Sequence, residues 1–154
     1  MERVGSITLR LYIGDYRDGA SLRVGDPARI DRIVNLSREH YDSALPVLEI
    51  DQWDGDPVDA EVLVGFLAAM REAWRRQETV LVHCRHGRSR AAAFCIARIM
   101  DHAGCDWDHA EEIVRQARPV IDPSPVLRYS ILRLLALGQV TGEIIASRAR
   151  DLLP

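Results

Sequence analysis

The stretch from Thr79 to Ala97 constrains this chain more than any other. An apolar run of strand type, Thr79-Val80-Leu81-Val82, leads into eight residues, His83-Cys84-Arg85-His86-Gly87-Arg88-Ser89-Arg90, and these lead into a second apolar run, Ala91-Ala92-Ala93-Phe94-Cys95-Ile96-Ala97. A strand, a tight polar loop and a helix start are expected in that order. Backbone N–H groups in such a loop and at the helix N-terminus converge on one point, which suits an anion. The same positive end favours the thiolate form of a cysteine. Cys84 and Arg90, with five residues between them, therefore read as a nucleophile facing a bound oxyanion.

Patterning around this segment predicts an α/β fold. Strands are expected over Leu9–Ile13, within Ile30–Leu36, over Val47–Ile50 and over Thr79–Val82, from short runs rich in aliphatic residues bounded by turn residues. Between the third and fourth strands a helix is expected, with Asp56 as its cap, Pro57 at its first position and Asp59 in its first turn. Its apolar face would comprise Val62, Leu63, Phe66, Leu67, Met70 and Trp74. Downstream the chain reads as helical. A segment from Ala91 ends at Gly104, a second is capped by Asp106 and stopped by Pro119, a third opens at Ser124-Pro125, and a short last helix follows Thr141-Gly142. The fold class is thus a single α/β domain over 1–154, with a central, mostly parallel sheet of four or five strands flanked by helices, most of them on one face, and a helix-rich C-terminal half.

Composition narrows the chemistry. The chain has 154 residues and a net charge of −3, so it is not built to coat nucleic acid or an anionic membrane, and the basic loop is a local exception. All of its basic side chains are arginine, which excludes a catalytic lysine. Three cysteines, Cys84, Cys95 and Cys105, are odd in number and contain no CxxC pair, as expected of a reducing, cytoplasmic setting rather than a disulfide scaffold or zinc site. Residues 1–10 lack an apolar core of signal-peptide length, and no stretch is long enough to span a membrane. Neither a metal nor a cofactor is expected.

Taken together, these residues resemble the dual-specificity class of cysteine-dependent phosphatases. The family signature His-Cys-x2-Gly-x2-Arg corresponds to His83, Cys84, Gly87 and Arg90. Leu11-Tyr12-Ile13-Gly14-Asp15, Arg32-Ile33-Val34-Asn35-Leu36-Ser37, Leu48-Glu49-Ile50-Asp51 and Arg118-Pro119-Val120-Ile121-Asp122-Pro123 resemble further family segments, so the resemblance covers about 7–137, and 139–154 form a C-terminal helical extension. It implies the cysteine phosphatase fold and hydrolysis of phosphate monoesters through a phosphocysteine. Phosphotyrosine is the expected substrate, with phosphoserine and phosphothreonine beside it. A phosphorylated protein or small phosphate ester is the implied partner, and phosphate or sulfate the implied occupant of the loop. Phosphatases of phospholipid, inositol or RNA 5′-phosphates, and a phosphate-binding module without catalysis, are the alternatives.

The resemblance also assigns roles. Cys84 attacks phosphorus, Arg90 holds the phosphoryl oxygens, and the Ser89 hydroxyl bonds the departing thiolate when the phosphoenzyme breaks down. His83 orders the loop from behind, and Gly87 allows its tight backbone. Arg85, His86 and Arg88 are variable loop positions whose charge bears on substrate preference. A general acid must protonate the leaving oxygen. Asp51, 33 residues before Cys84, is the expected acid and Asp54 the alternative. Trp53 beside them is a candidate for the pocket mouth.

Overall fold

The structure is a computed structural model and describes residues 5–7 and 9–152. Within them lie five strands, β1 (Gly5–Ile7), β2 (Leu11–Gly14), β3 (Arg32–Asn35), β4 (Val47–Glu49) and β5 (Val80–His83). Six helices accompany them, α1 (Tyr16–Ala20), α2 (Ala60–Arg75), α3 (Arg90–Ala103), α4 (Trp107–Ala117), α5 (Pro125–Ala136) and α6 (Gly142–Arg150). The strands form one sheet in the order β1-β2-β5-β3-β4, in which only β1 runs antiparallel. The expected mostly parallel sheet and helix-rich second half are therefore present.

Strand alternation sorts the two faces. Leu11, Ile13, Val34, Val80 and Val82 join a large cluster with α2 to α6, whereas Ile33 and Leu81 join Leu22 and Ile30 in a small cluster on the other side. The large cluster is centred on α3, whose residues Ala91 to Ile99 are all buried. An edge-to-face pair between Phe66 of α2 and Phe94 of α3, with centroids 5.1 Å apart, locks these helices together, a geometry worth ~1 kcal/mol beyond area burial. Gly104 ends α3 in the left-handed conformation, Asp106 caps α4, and Ser124 caps α5 with Pro125 at its start, all as the sequence predicts.

Several local expectations need correction. The first strand starts at Leu11 rather than Leu9, because Leu9 and Arg10 form a turn with φ of 73° and 55°. Helix α2 starts three residues later than expected: Asp59, not Asp56, is its cap, accepting from the Val62 amide at 2.9 Å. Trp74, assigned to the buried face of α2, is 41 % exposed and stacks against His102. Strand β1 and helix α1 were not foreseen. The helix is held by a capping box in which Asp15 and Asp18 each accept from the other's amide at 2.9 Å. The N-terminal segment read for a leader falls partly on residues 1–4 and 8, and Leu153 of the extension is likewise outside the described residues.

Register positions the site. Parallel pairing sets Gly14 and Asn35 on either side of His83, so the loops after β2, β3 and β5 emerge side by side from the carboxyl edge of the sheet. In parallel α/β sheets this edge is where ligands bind.

Candidate active site

Cys84 follows the last residue of the central strand and is 3 % exposed, at the base of a cavity. The loop beyond it is held by its carbonyls. Arg85 O accepts from the Tyr16 amide at 3.2 Å and Arg88 O from the Asp122 amide at 2.6 Å. His86 O and Gly87 O accept from the Arg118 guanidinium at 3.1 and 2.8 Å. Four successive carbonyls thus point away to α1 and to the α4–α5 connection. Because N–H and C=O lie on opposite sides of a peptide, the amides of the same loop turn inward, over Cys84. Gly87 has φ of 67°, and a Cβ there would stand 2.6 Å from Gly14 O, so both the turn and the close approach require glycine.

Behind the loop His83 is fully buried, and burial holds its pKa below the ordinary histidine range. Its Nδ1 lies 3.3 Å from Cys84 O and its Nε2 2.7 Å from the Tyr41 hydroxyl. A carbonyl can only accept, so a neutral ring donates from Nδ1 and accepts from Tyr41 at Nε2. Burial raises the Tyr41 pKa well above the usual phenol range, which keeps that hydroxyl a donor. Gly19 of α1 leaves room for this pair, since a Cβ there would fall 2.3 Å from His83 Nε2.

Ser89 occupies the N-cap position of α3 but makes no cap bond with its side chain. Its Oγ accepts from the Ser124 amide at 2.9 Å, which leaves the hydroxyl hydrogen to be donated elsewhere. Arg90 opens α3, and its Nη1 donates to Leu36 O at 2.6 Å and to Gln52 O at 3.1 Å. The guanidinium is thereby fixed between the end of β3 and the β4–α2 loop.

The cavity over Cys84 measures about 320 Å³ and is lined by Asp54, Cys84, Arg85, His86, Arg88, Ser89, Arg90 and Asp122. Every loop position singled out in the sequence except buried Gly87 and His83 faces it. Of the two candidate acids, Asp54 lines this cavity and Asp51 does not. Asp51 is 80 % exposed and its Oδ1 pairs with Arg38 Nε at 2.7 Å. The later start of α2 explains the difference: it lengthens the β4–α2 loop, whose middle, not its first residue, reaches back over the cup. Gln52, buried in that loop, donates from Nε2 to Trp53 O and Asp56 O, each at 3.0 Å. Trp53 is 59 % exposed, lies outside the cavity lining, and stacks on Arg38.

Charges at the rim differ in their partners. Arg85 pairs with Glu39 and stands over Tyr16. Among the described residues Arg88 donates only to the Val120 carbonyl, at 3.3 Å. Among the described residues no group of His, Cys, Asp and Glu could hold a metal ion. Cys95 is fully buried in α3, where burial and the neighbouring Cys84 push its thiol pKa up. No described helix is long and apolar enough to cross a membrane.

Sequence reasoning missed Tyr41, Gln52, Arg118 and Asp122. In the sequence the segment Arg118–Pro123 is marked only by its resemblance to the family; in the structure Arg118 and Asp122 clasp the loop from outside.

Comparison with known proteins agrees with this geometry. Residues 11–134 match the family described as "Dual specificity phosphatase, catalytic domain". Mouse dual specificity phosphatase 28 is 38 % identical over 121 residues, covering 74 % of this chain and 72 % of the relative. The crystal structure of human DUSP28 superposes with a TM-score of 0.78 at 28 % identity, covering 90 % of this chain and 96 % of that one. A mouse dual specificity phosphatase crystallised with zinc tungstate gives a TM-score of 0.79 at 30 % identity, over 88 % and 91 % of the two chains. With a thiol at the base of an amide-lined cup and an arginine fixed across it, this chain belongs to the dual specificity phosphatases, the family of cysteine-dependent enzymes that hydrolyse phosphate monoesters through a phosphocysteine.

Proposed function

We propose that Cys84, Arg90, Ser89 and Asp54 divide the reaction among them, with Asp54 rather than Asp51 as the general acid. The Cys84 thiolate attacks phosphorus and the bond to the leaving oxygen breaks. Arg90 and the inward amides hold the equatorial oxygens, where charge spreads in a loose transition state. Asp54, protonated, delivers its proton to the leaving oxygen. In the second step the Asp54 carboxylate takes a proton from water as it attacks the phosphocysteine, and the Ser89 hydroxyl donates to the departing thiolate. His83 acts on none of these atoms. Held neutral by burial, it braces Cys84 O and Tyr41.

The observation that carries this reading is that Asp54 and Cys84 line one cavity with Arg90 between the loops that bear them. Replacing a general acid costs roughly 10²–10⁴-fold, and only when the leaving group needs a proton. In kcat/KM, which reports only the steps through formation of the phosphocysteine, Asp54→Asn is therefore expected to lose about that much on an alkyl phosphate and little on 4-nitrophenyl phosphate, whereas Asp51→Asn loses far less on the alkyl ester. Values of kcat/KM on the two esters check this, with Cys84→Ser as the inactive control. The reverse ranking of the two aspartates returns the acid role to Asp51.

Arg85 is balanced by Glu39, so Arg88 is the rim cation left to meet the substrate. This supports a phosphopeptide with acidic residues beside the phosphorylated side chain.

A further inference from the structure

The connection after β3 contributes one side chain to the β4–α2 loop from outside the cavity. Arg38 Nε pairs with Asp51 Oδ1 at 2.7 Å. The same guanidinium lies 3.8 Å from the centroid of the Trp53 ring. Arg38 therefore grips the two residues flanking Gln52, and Gln52 O is itself held by Arg90 at 3.1 Å. The three residues that precede Asp54 are fixed in sequence, by Arg38, by Arg90 and by Arg38 again.

Two local costs accompany this grip. Arg38 has φ of 65°, a left-handed conformation that non-glycine residues adopt rarely and at a cost of order 1 kcal/mol or more. Its Nη1 is buried with no hydrogen-bond partner among the described residues, a further penalty. Strained backbone persists where the surroundings over-determine it, and such positions cluster at functional sites. An arginine suits this place because its planar cation can stack on an indole and still donate in its own plane to a carboxylate; a lysine cannot do both.

We propose that Arg38 is a positioning residue for the general acid: its clamp on Asp51 and Trp53 holds the β4–α2 loop so that Asp54 faces the leaving oxygen. The proposal rests on Asp54 as the acid. It gives Asp51 and Trp53 a shared role as the handles of the clamp, and the exposure of Trp53 then reflects the stack on its face rather than a contact with substrate.

The test is the leaving-group dependence of Arg38→Met. A displacement of about 1 Å costs up to ~10²-fold in a step that needs alignment. Arg38→Met is expected to lose roughly 10- to 100-fold in kcat/KM, which reports the step that expels the leaving group, on an alkyl phosphate. On 4-nitrophenyl phosphate, whose leaving group needs no proton, kcat/KM should stay within about twofold of the parent, and orthovanadate inhibition should do the same, because the cup itself is untouched. Arg38→Lys, which keeps the charge without the stack, should fall between. Trp53→Leu removes the other handle and should reproduce the selective loss if Arg38→Met does not fold, as judged by circular dichroism. Equal losses on both esters, or loss of vanadate binding, overturn the proposal, since they mark general damage to the cup. If Asp54→Asn discriminates between the esters and both Arg38→Met and Trp53→Leu match the parent on both, the positioning role falls while the acid assignment stands. If Asp54→Asn does not discriminate, the acid assignment falls first and takes this inference with it.

Discussion

His83 illustrates how a single residue gains its role from its surroundings. The sequence places it before Cys84, but only burial makes it neutral and only its contact with the Cys84 carbonyl, which can do nothing but accept, fixes its tautomer, with the Tyr41 hydroxyl then donating to Nε2. The depressed pKa has a consequence for stability. The folded protein holds this ring unprotonated at pH values where the unfolded chain, titrating near 6.5, takes up a proton. The unfolded state then binds more protons, so stability rises with pH. The contribution is fully present above about pH 6.5 and is lost as pH falls from there toward the lower folded value. A slope of up to ~1.4 kcal/mol per pH unit is expected from this one site. Denaturant titrations between pH 7 and 5 should show it, and His83→Gln should remove that part of the pH dependence. An unchanged slope in the variant would assign the acid sensitivity to other groups.

At the scale of elements the start of α2 decides the site. Two aspartates, Asp56 and Asp59, stand before this helix, and both are ordinary cap residues. The Pro57 between them favours Asp56 on local grounds, since proline is well suited to the first position of a helix. Tertiary contact settles it otherwise. The Val58 amide donates to Ser130 Oγ of α5 at 2.8 Å, and the Val58 side chain is buried, so the chain at 57–58 is committed to packing before the helix begins. Asp59→Ala is therefore expected to cost ~1 kcal/mol in unfolding free energy, and Asp56→Ala only a few tenths. Chemical denaturation of the two variants measures this, and equal losses would place the cap elsewhere. The same shift places Asp54 in the middle of the loop and over the cup, a placement that the 33-residue interval between Asp51 and Cys84 does not reveal.

The whole molecule explains the tail. The sequence leaves open whether the residues beyond 138 pack back or meet a second chain. Here α6 lies on α2: Ile145 is 2 % exposed, Arg148 pairs with Glu61, and Arg71 reaches Gly142 O at 3.3 Å. None of these residues lines the cavity over Cys84. Ile145→Ala should therefore cost ~2–3 kcal/mol in stability through lost burial and leave kcat/KM on 4-nitrophenyl phosphate unchanged at temperatures where the variant stays folded. A fall in kcat/KM without unfolding would show that α6 supports the site as well as the core.

The sequence by itself determined the Cys84–Arg90 loop as the candidate site, the parallel sheet and nearly every helix. All of these rest on local signals: aliphatic runs of strand length, caps at helix starts, Gly104 at a helix end, and Cys84 and Arg90 at fixed spacing within one loop. Only the tertiary structure decided which aspartate faces the cup, what braces His83, and which cations remain unbalanced at the rim. Those depend on side chains brought together from β3, β4 and the α4–α5 connection, far apart in the chain. A local pattern can specify what a segment becomes, but whether a loop carboxylate points into a cavity or pairs with an arginine outside it is settled by the competition among contacts that exist only once the chain has folded.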